Sequence, residues 1–182
     1  MDPGLVARAQ AGDEAAFTTL ASTVGDRLLG LAFRILRDRD RAEEATQRTL
    51  VAAWEELPRL RDPARFEPWI RQMLANACYQ ELRRERRGLV GTVRDIADDR
   101  TADPTQDVLE RDAIDRAFRR LPPDLRIVLA YRYFVDLPVE RIATELGIPE
   151  GTVKSRLHRA TAEIRAALEA DARGPLAVEP PR

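Results

Sequence analysis

The chain of 182 residues has one cysteine, Cys78, and one histidine, His158. A lone thiol excludes an internal disulfide, and one imidazole beside it leaves no usual nitrogen and sulfur ligand set for zinc. No structural metal and no cofactor are expected, and Cys78 reads as a small, partly buried apolar residue rather than a redox centre. No apolar run reaches membrane-spanning length, so no membrane association is expected. Met1-Asp2-Pro3-Gly4 has neither a basic start nor an apolar stretch behind it, so no secretory signal is expected and a cytoplasmic location is. Neither sign of charge prevails, since 30 Lys and Arg face 31 Asp and Glu for a net charge of −1. Whole-chain basicity therefore gives no hint of a nucleic-acid partner. Lysine is nearly missing as well: Lys154 is the one lysine, and the other cations are arginine. Arginine suits phosphate and guanine contacts, though GC-rich coding would leave the same bias. No cluster of general acids, nucleophiles or ligands stands out from the dispersed carboxylates, which disfavours an enzyme.

What is present is helical periodicity. A first helix over 5–11 stops at Gly12, and Asp13 is placed to cap a second that runs to about Leu36. In that second helix Phe17, Leu20, Ala21, Val24, Leu28, Leu31 and Ile35 recur every three or four positions and form one apolar stripe. Asp38 to Asp40 make an acid-rich turn. A third helix, 41–57, carries Ala42, Ala45, Leu50, Ala53, Trp54 and Leu57 inward and ends at Pro58. A fourth starts near Phe66, with Trp69, Ile70, Met73, Leu74 and Ala77 on its buried stripe, and ends in the basic cluster 83–87. Trp54 and Trp69 lie on apolar stripes and read as core residues before base-stacking ones. Between 88 and 107 the periodicity vanishes among five aspartates, two arginines, two glycines and a proline, the composition of a flexible linker. Helical pattern returns at Val108, stops at Pro122-Pro123 and resumes over 124–134. The last residues, 172–182, hold three prolines and read as a frayed tail.

From Pro138 to Leu168 the pattern is that of a helix-turn-helix. Val139, Ile142, Ala143 and Leu146 line one face of the first helix. Gly147 can take the positive φ that ends a helix, Ile148 can plug the angle, and Pro149 suits the opening of the next helix. On the second helix Val153, Leu157, Ala160, Ile164 and Leu168 make the inner stripe. At about 100° per residue, Ser155, His158, Arg159 and Ala162 fall opposite it, with Thr152 and Lys154 flanking. Small residues interleaved with cations fit a major groove. Any one of these charges alone would pass for a solvated helix face. His158 sits opposite the apolar stripe and lacks partner ligands, so groove contact is its preferred role.

The run Gly151-Thr152-Val153-Lys154-Ser155-Arg156-Leu157-His158-Arg159-Ala160, preceded by Leu121-Pro122, Arg126, Val128, Tyr131 and Tyr133, resembles region four of extracytoplasmic-function sigma factors of the sigma-70 family. The first half is similar to region two, with Glu44, Gln47 and Trp54 at matching positions on one helix and Trp69, Ile70, Asn76, Leu82, Arg83 and Arg84 on the next. The resemblance implies an all-α protein of two helical domains joined by a flexible linker. Residues 1–87 would bind core RNA polymerase through its β′ clamp helices and recognise and melt the minus-ten element; 88–106 would be the linker, 107–171 the minus-thirty-five reader, and 172–182 the tail.

Polymerase contacts would come from Glu44, Gln47 and Arg48, with the β flap as a further partner. DNA contacts would come from Thr152, Lys154, Ser155, Arg156, His158 and Arg159 in the second half, and from Asn76, Arg83 and Arg84 in the first. A loop near 59–65 would capture an unpaired base. An anti-sigma protein is an expected partner. The sequence departs from the family at Arg48, where glutamate is usual, and at Gln80, where aspartate is common. A helix-turn-helix repressor or response-regulator output protein, acting without polymerase, is the alternative, and the missing βα receiver pattern counts against it.

Overall fold

The structure, a computed structural model, describes residues 1–88 and 106–172, with side chains described over 1–85 and 113–172. The expected linker and tail lie outside the described residues apart from their helical edges. Those residues form helices α1 (Pro3–Gln10), α2 (Glu14–Leu36), α3 (Arg39–Glu56), α4 (Phe66–Gly88), α5 (Gln106–Arg120), α6 (Pro123–Tyr133), α7 (Val139–Leu146) and α8 (Glu150–Ala172). No strand occurs among them.

Local chemistry fixes the boundaries. Gly12 has φ +92°, open to glycine at no steric cost. The Asp13 carboxylate then accepts the Ala16 amide at 2.9 Å and caps α2. Asp38 does the same for Arg41 at 3.0 Å, so α3 begins at Arg39, two residues earlier than the apolar pattern indicates. Pro58 lies in a short 3₁₀ turn after α3, and Pro63 opens a second before α4. Between these turns the Gln10 side-chain amide donates to the Leu57 and Leu60 carbonyls at 3.1 and 2.6 Å, tying the loop to α1. Thr46 and Thr49 also face the core of α3, since each hydroxyl bonds back to the carbonyl four residues earlier, at 2.7 Å.

α1 to α4 bury Val6, Leu20, Leu28, Ile35, Leu57, Phe66, Ile70 and Leu74 together. Each such side chain contributes about 1.5–3 kcal/mol by leaving water. In the second half Phe118, Leu121, Leu125, Leu129 and Ala160 form a smaller cluster. The main core does not stop at the first half: Ile127, Val128, Tyr131, Ile142, Ala143 and Val153 belong to it. α6 explains the continuity, because every residue from Leu125 to Tyr131 is buried and no face is left for water. It packs on α8 on one side and on α2 and α4 on the other.

Ionic contacts reinforce this junction. Arg71 on α4 donates twice to Glu145 on α7, at 3.0 and 2.6 Å, and the Tyr131 hydroxyl donates to the Arg71 carbonyl at 2.6 Å. Arg37, left-handed at φ 56°, pairs with Asp115 at 2.9 Å and lies 5.2 Å from the Phe118 ring. Burial lowers the Arg37 pKa, with Asp115 opposing the shift.

Candidate nucleic-acid interface

The face expected to read DNA is built on α7 and α8. Gly147 takes φ +66° at the end of α7, and its neighbour Ile148 packs against the core, so the turn holds the two helices at a fixed angle. Val153 and Ala160 of α8 are buried, with Leu157, Ile164 and Leu168 half-buried on the same stripe. Lys154, Ser155, His158 and Arg159 are exposed, as their spacing requires. Lys154 lies 3.9 Å from Glu150, and Arg159 donates to Glu163 at 2.8 Å. Such exposed pairs within a single helix contribute little to stability. The Ser155 hydroxyl donates to the Thr152 carbonyl at 3.0 Å, and Thr152 itself is half-buried.

Arg156 is placed differently from the others. It turns inward to Asp124 at the start of α6, at 3.2 Å, and lines a cavity of about 210 Å³ with Asn76, Tyr79 and Ile148. Two residues predicted to touch DNA from different halves, Asn76 and Arg156, thus meet at one junction.

On α3, Glu44 and Gln47 are exposed. Arg48 is only half-exposed, because its guanidinium reaches across to Glu81 on α4, and its Nε is buried with no hydrogen-bond partner. The polar face read from spacing therefore holds two exposed residues, of which Glu44 lies 3.8 Å from Arg48, and a third committed to the neighbouring helix. Arg83 and Arg84 are exposed at the end of α4, with the Arg83 guanidinium 5.8 Å from the Tyr79 ring and Arg84 donating to Glu81 at 3.0 Å. Gln80 is exposed beside them. Trp54 packs on Phe17 with ring centroids 4.9 Å apart, and Trp69 on Phe66 at 6.0 Å, so both indoles are half-buried packing groups. In the loop before α4, Arg59, Arg61 and Arg65 are exposed around the Asp62 cap on the Ala64 amide, 3.0 Å long.

Sequence reasoning missed Glu81, Glu145 and Arg71. Glu81 is 8% and Glu145 4% exposed, yet both are acids within helices otherwise read for apolar stripes. A buried acid needs a cation, and that need was the available signal; the partner's position was not. Burial works against the charge of Arg71, but the hydrogen bonds and attraction of Glu145 outweigh it and raise the Arg71 pKa. Burial raises the Tyr131 pKa too, so its hydroxyl remains a donor. Among the described residues no group of three or more His, Cys, Asp or Glu could hold a metal ion, and no helix is long and apolar enough to cross a membrane.

Comparisons with known proteins agree on both halves. The family description "Sigma-70 region 2" matches residues 20–88, and "Sigma-70, region 4" matches 111–164. The ECF RNA polymerase sigma factor SigL of Mycobacterium tuberculosis is 34% identical over 142 residues, covering 76% of this chain and 80% of SigL. The probable RNA polymerase sigma factor RfaY of Xanthomonas campestris pv. campestris is 32% identical over 86% of this chain, which spans 41% of that longer protein. Among solved structures, CnrH in complex with the cytosolic domain of CnrY superposes with a TM-score of 0.67 at 27% identity, over 93% of this chain and 98% of CnrH.

Proposed function

The chain belongs to the sigma-70 family, as an extracytoplasmic-function sigma factor, and from that premise we propose how its surfaces divide the work of initiation. It is a transcription initiation factor that binds RNA polymerase, and it is not an enzyme. Residues 1–87 hold core polymerase through Glu44 and Gln47 on α3, and approach the minus-ten element through Asn76, Arg83 and Arg84 on α4. Residues 107–171 read the minus-thirty-five element in the major groove with Lys154, Ser155, His158 and Arg159, while Thr152 and Arg156 border that face. The protein works in the cytoplasm. An anti-sigma protein partners it, for which the support is that CnrH was solved with the cytosolic domain of CnrY.

The observation that carries this reading is the exposed set Lys154, Ser155, His158 and Arg159 on the side of α8 opposite buried Val153 and Ala160, behind the Gly147 turn. Base readout and phosphate positioning leave different traces. A bidentate arginine contact to guanine costs about 1–3 kcal/mol on truncation and relaxes preference at one base pair, whereas a phosphate contact weakens all sequences alike. The test is binding of holoenzyme carrying Arg159→Ala or Lys154→Ala to matched and single-base-changed promoter duplexes at two salt concentrations. The expected outcome is relaxed preference at one position for Arg159→Ala and a shallower salt dependence for Lys154→Ala. Unchanged affinity and preference for both variants at both salts would remove the recognition face from α8.

A further inference from the structure

One carboxylate oxygen links the two working helices of the first half. Glu81 on α4 is 8% exposed, and its Oε1 accepts from Arg48 on α3 and, at 3.0 Å, from Arg84 one turn further along α4. The Arg48 guanidinium in turn lies 3.8 Å from Glu44. Charges therefore alternate from Glu44, exposed on the face assigned to polymerase, through Arg48 and Glu81, to Arg84, exposed on the face assigned to the promoter. A buried carboxylate is tolerated only with cationic partners. Arg48 meets that need from across the helix pair, although its own Nε is left without a bond. With one guanidinium nitrogen anchored to Glu81 and the side chain otherwise 62% exposed, Arg84 has fewer rotamers open to it while it keeps further donors for a ligand.

We propose that Glu81 is a positioning residue: it orients Arg84 for promoter contact, and Arg48 acts through Glu81 in promoter recognition rather than as a polymerase contact. This rests on the assignment of Arg84 to the promoter in the reading above. It gives Arg48, one of the two points where the chain leaves the family pattern, a role within the protein.

The variants are Glu81→Gln, Arg84→Ala, their double, Arg48→Met and Arg48→Lys, each in the full chain reconstituted with core RNA polymerase. The probe is a promoter chosen from a randomised library, together with its single-base variants across the minus-ten element. Open-complex formation is read by permanganate reactivity of unpaired thymines, and core affinity separately by titration with labelled chain. Glu81→Gln and Arg84→Ala should each reduce discrimination at the same base position by about fivefold or more. The double variant should fall no further than the worse single variant, and core affinity should stay within about twofold throughout. Arg48→Met should reproduce the loss and Arg48→Lys should restore most of it.

A bridge that merely braces α3 against α4 would instead lower melting temperature and opening on every promoter variant equally, and that outcome overturns the proposal. So would additive losses in the double variant, or an Arg48→Met defect confined to core affinity. If Arg84→Ala shifts base preference and Glu81→Gln does not, the promoter assignment stands and the positioning role falls. If Arg84→Ala shifts nothing, the assignment itself fails and the positioning role with it. Should Glu81→Gln not fold, Glu81→Asp keeps the charge, shortens its reach and is expected to give the same position-specific loss.

Discussion

Cys78 sits on α4 with no exposed surface, and burial, assisted by the nearby Glu81 charge, pushes its thiol up to about 12. The thiolate is the reactive species, so folded protein should resist alkylation at pH 8 and react within minutes once unfolded in denaturant. Rapid labelling under native conditions would contradict the burial. The sign of the linked stability is set by the same shift. Above about pH 9 the unfolded chain loses this proton while the folded chain keeps it, so stability falls as pH rises from there toward 12. Thermal melts across that range, compared with Cys78→Ala, isolate the contribution. The inert character of Cys78 was legible from its place near an apolar stripe and from the shortage of other ligands. The role of Glu81 beside it was not: Arg84 is one turn away, but the cation that crosses to it, Arg48, comes from 33 residues earlier in the chain, and no periodicity announces a pair across two helices.

Most helix ends were readable because caps are local. Asp13 and Gly147 lie where a carboxylate or a glycine closes a helix end within a few residues, whereas Asp38, read as part of a turn, caps α3 two residues before its expected start. Gly147 allows a sharp test, since φ +66° is a conformation that costs other L-residues about 1–2 kcal/mol. A Cβ there would be 3.7 Å from the Gln72 amide, an ordinary contact, so strain rather than collision is the penalty. Gly147→Ala should lower the melting temperature by several degrees and Gly147→Asn by less, measured by circular dichroism; equal melting of all three would show that the turn is not held in that geometry. α6 carried a second signal. Its unbroken apolar run contains one arginine, Arg126, whose Nε donates to the Leu121 carbonyl at 3.2 Å, and such a helix must be covered on all sides. The partner on its far side, α2 and α4 of the other half, could not be named from sequence.

Across the whole molecule the two halves are in contact, whereas the sequence pattern suggests bodies joined only by a tether. Glu145 exposes 1% of its side chain and Arg71 18%, so removing the cation leaves a buried, uncompensated charge. Arg71→Ala should cost about 3–5 kcal/mol, and Arg71→Met combined with Glu145→Leu should regain most of it. Denaturant unfolding of the two variants beside the unsubstituted chain checks this; equal stability of the single and double variants would mean that the pair is not a buried one. The junction also bears on promoter binding. Asn76, exposed, and Arg156, half-buried, line one cavity of about 210 Å³, so two residues expected at different promoter elements share a single surface in this arrangement.

Family membership and the exposed face of α8 lead to one claim above the others: this chain gives core RNA polymerase its choice of promoter. The direct measurement is transcription from a library randomised over both promoter elements, by purified core polymerase with and without the full chain, with transcripts sequenced. The expected result is a small set of start sites, sharing two spaced elements, that appears only when chain and polymerase are both present. Sequence-specific binding by the chain without polymerase, or an unchanged transcript profile when the chain is added, would contradict the claim.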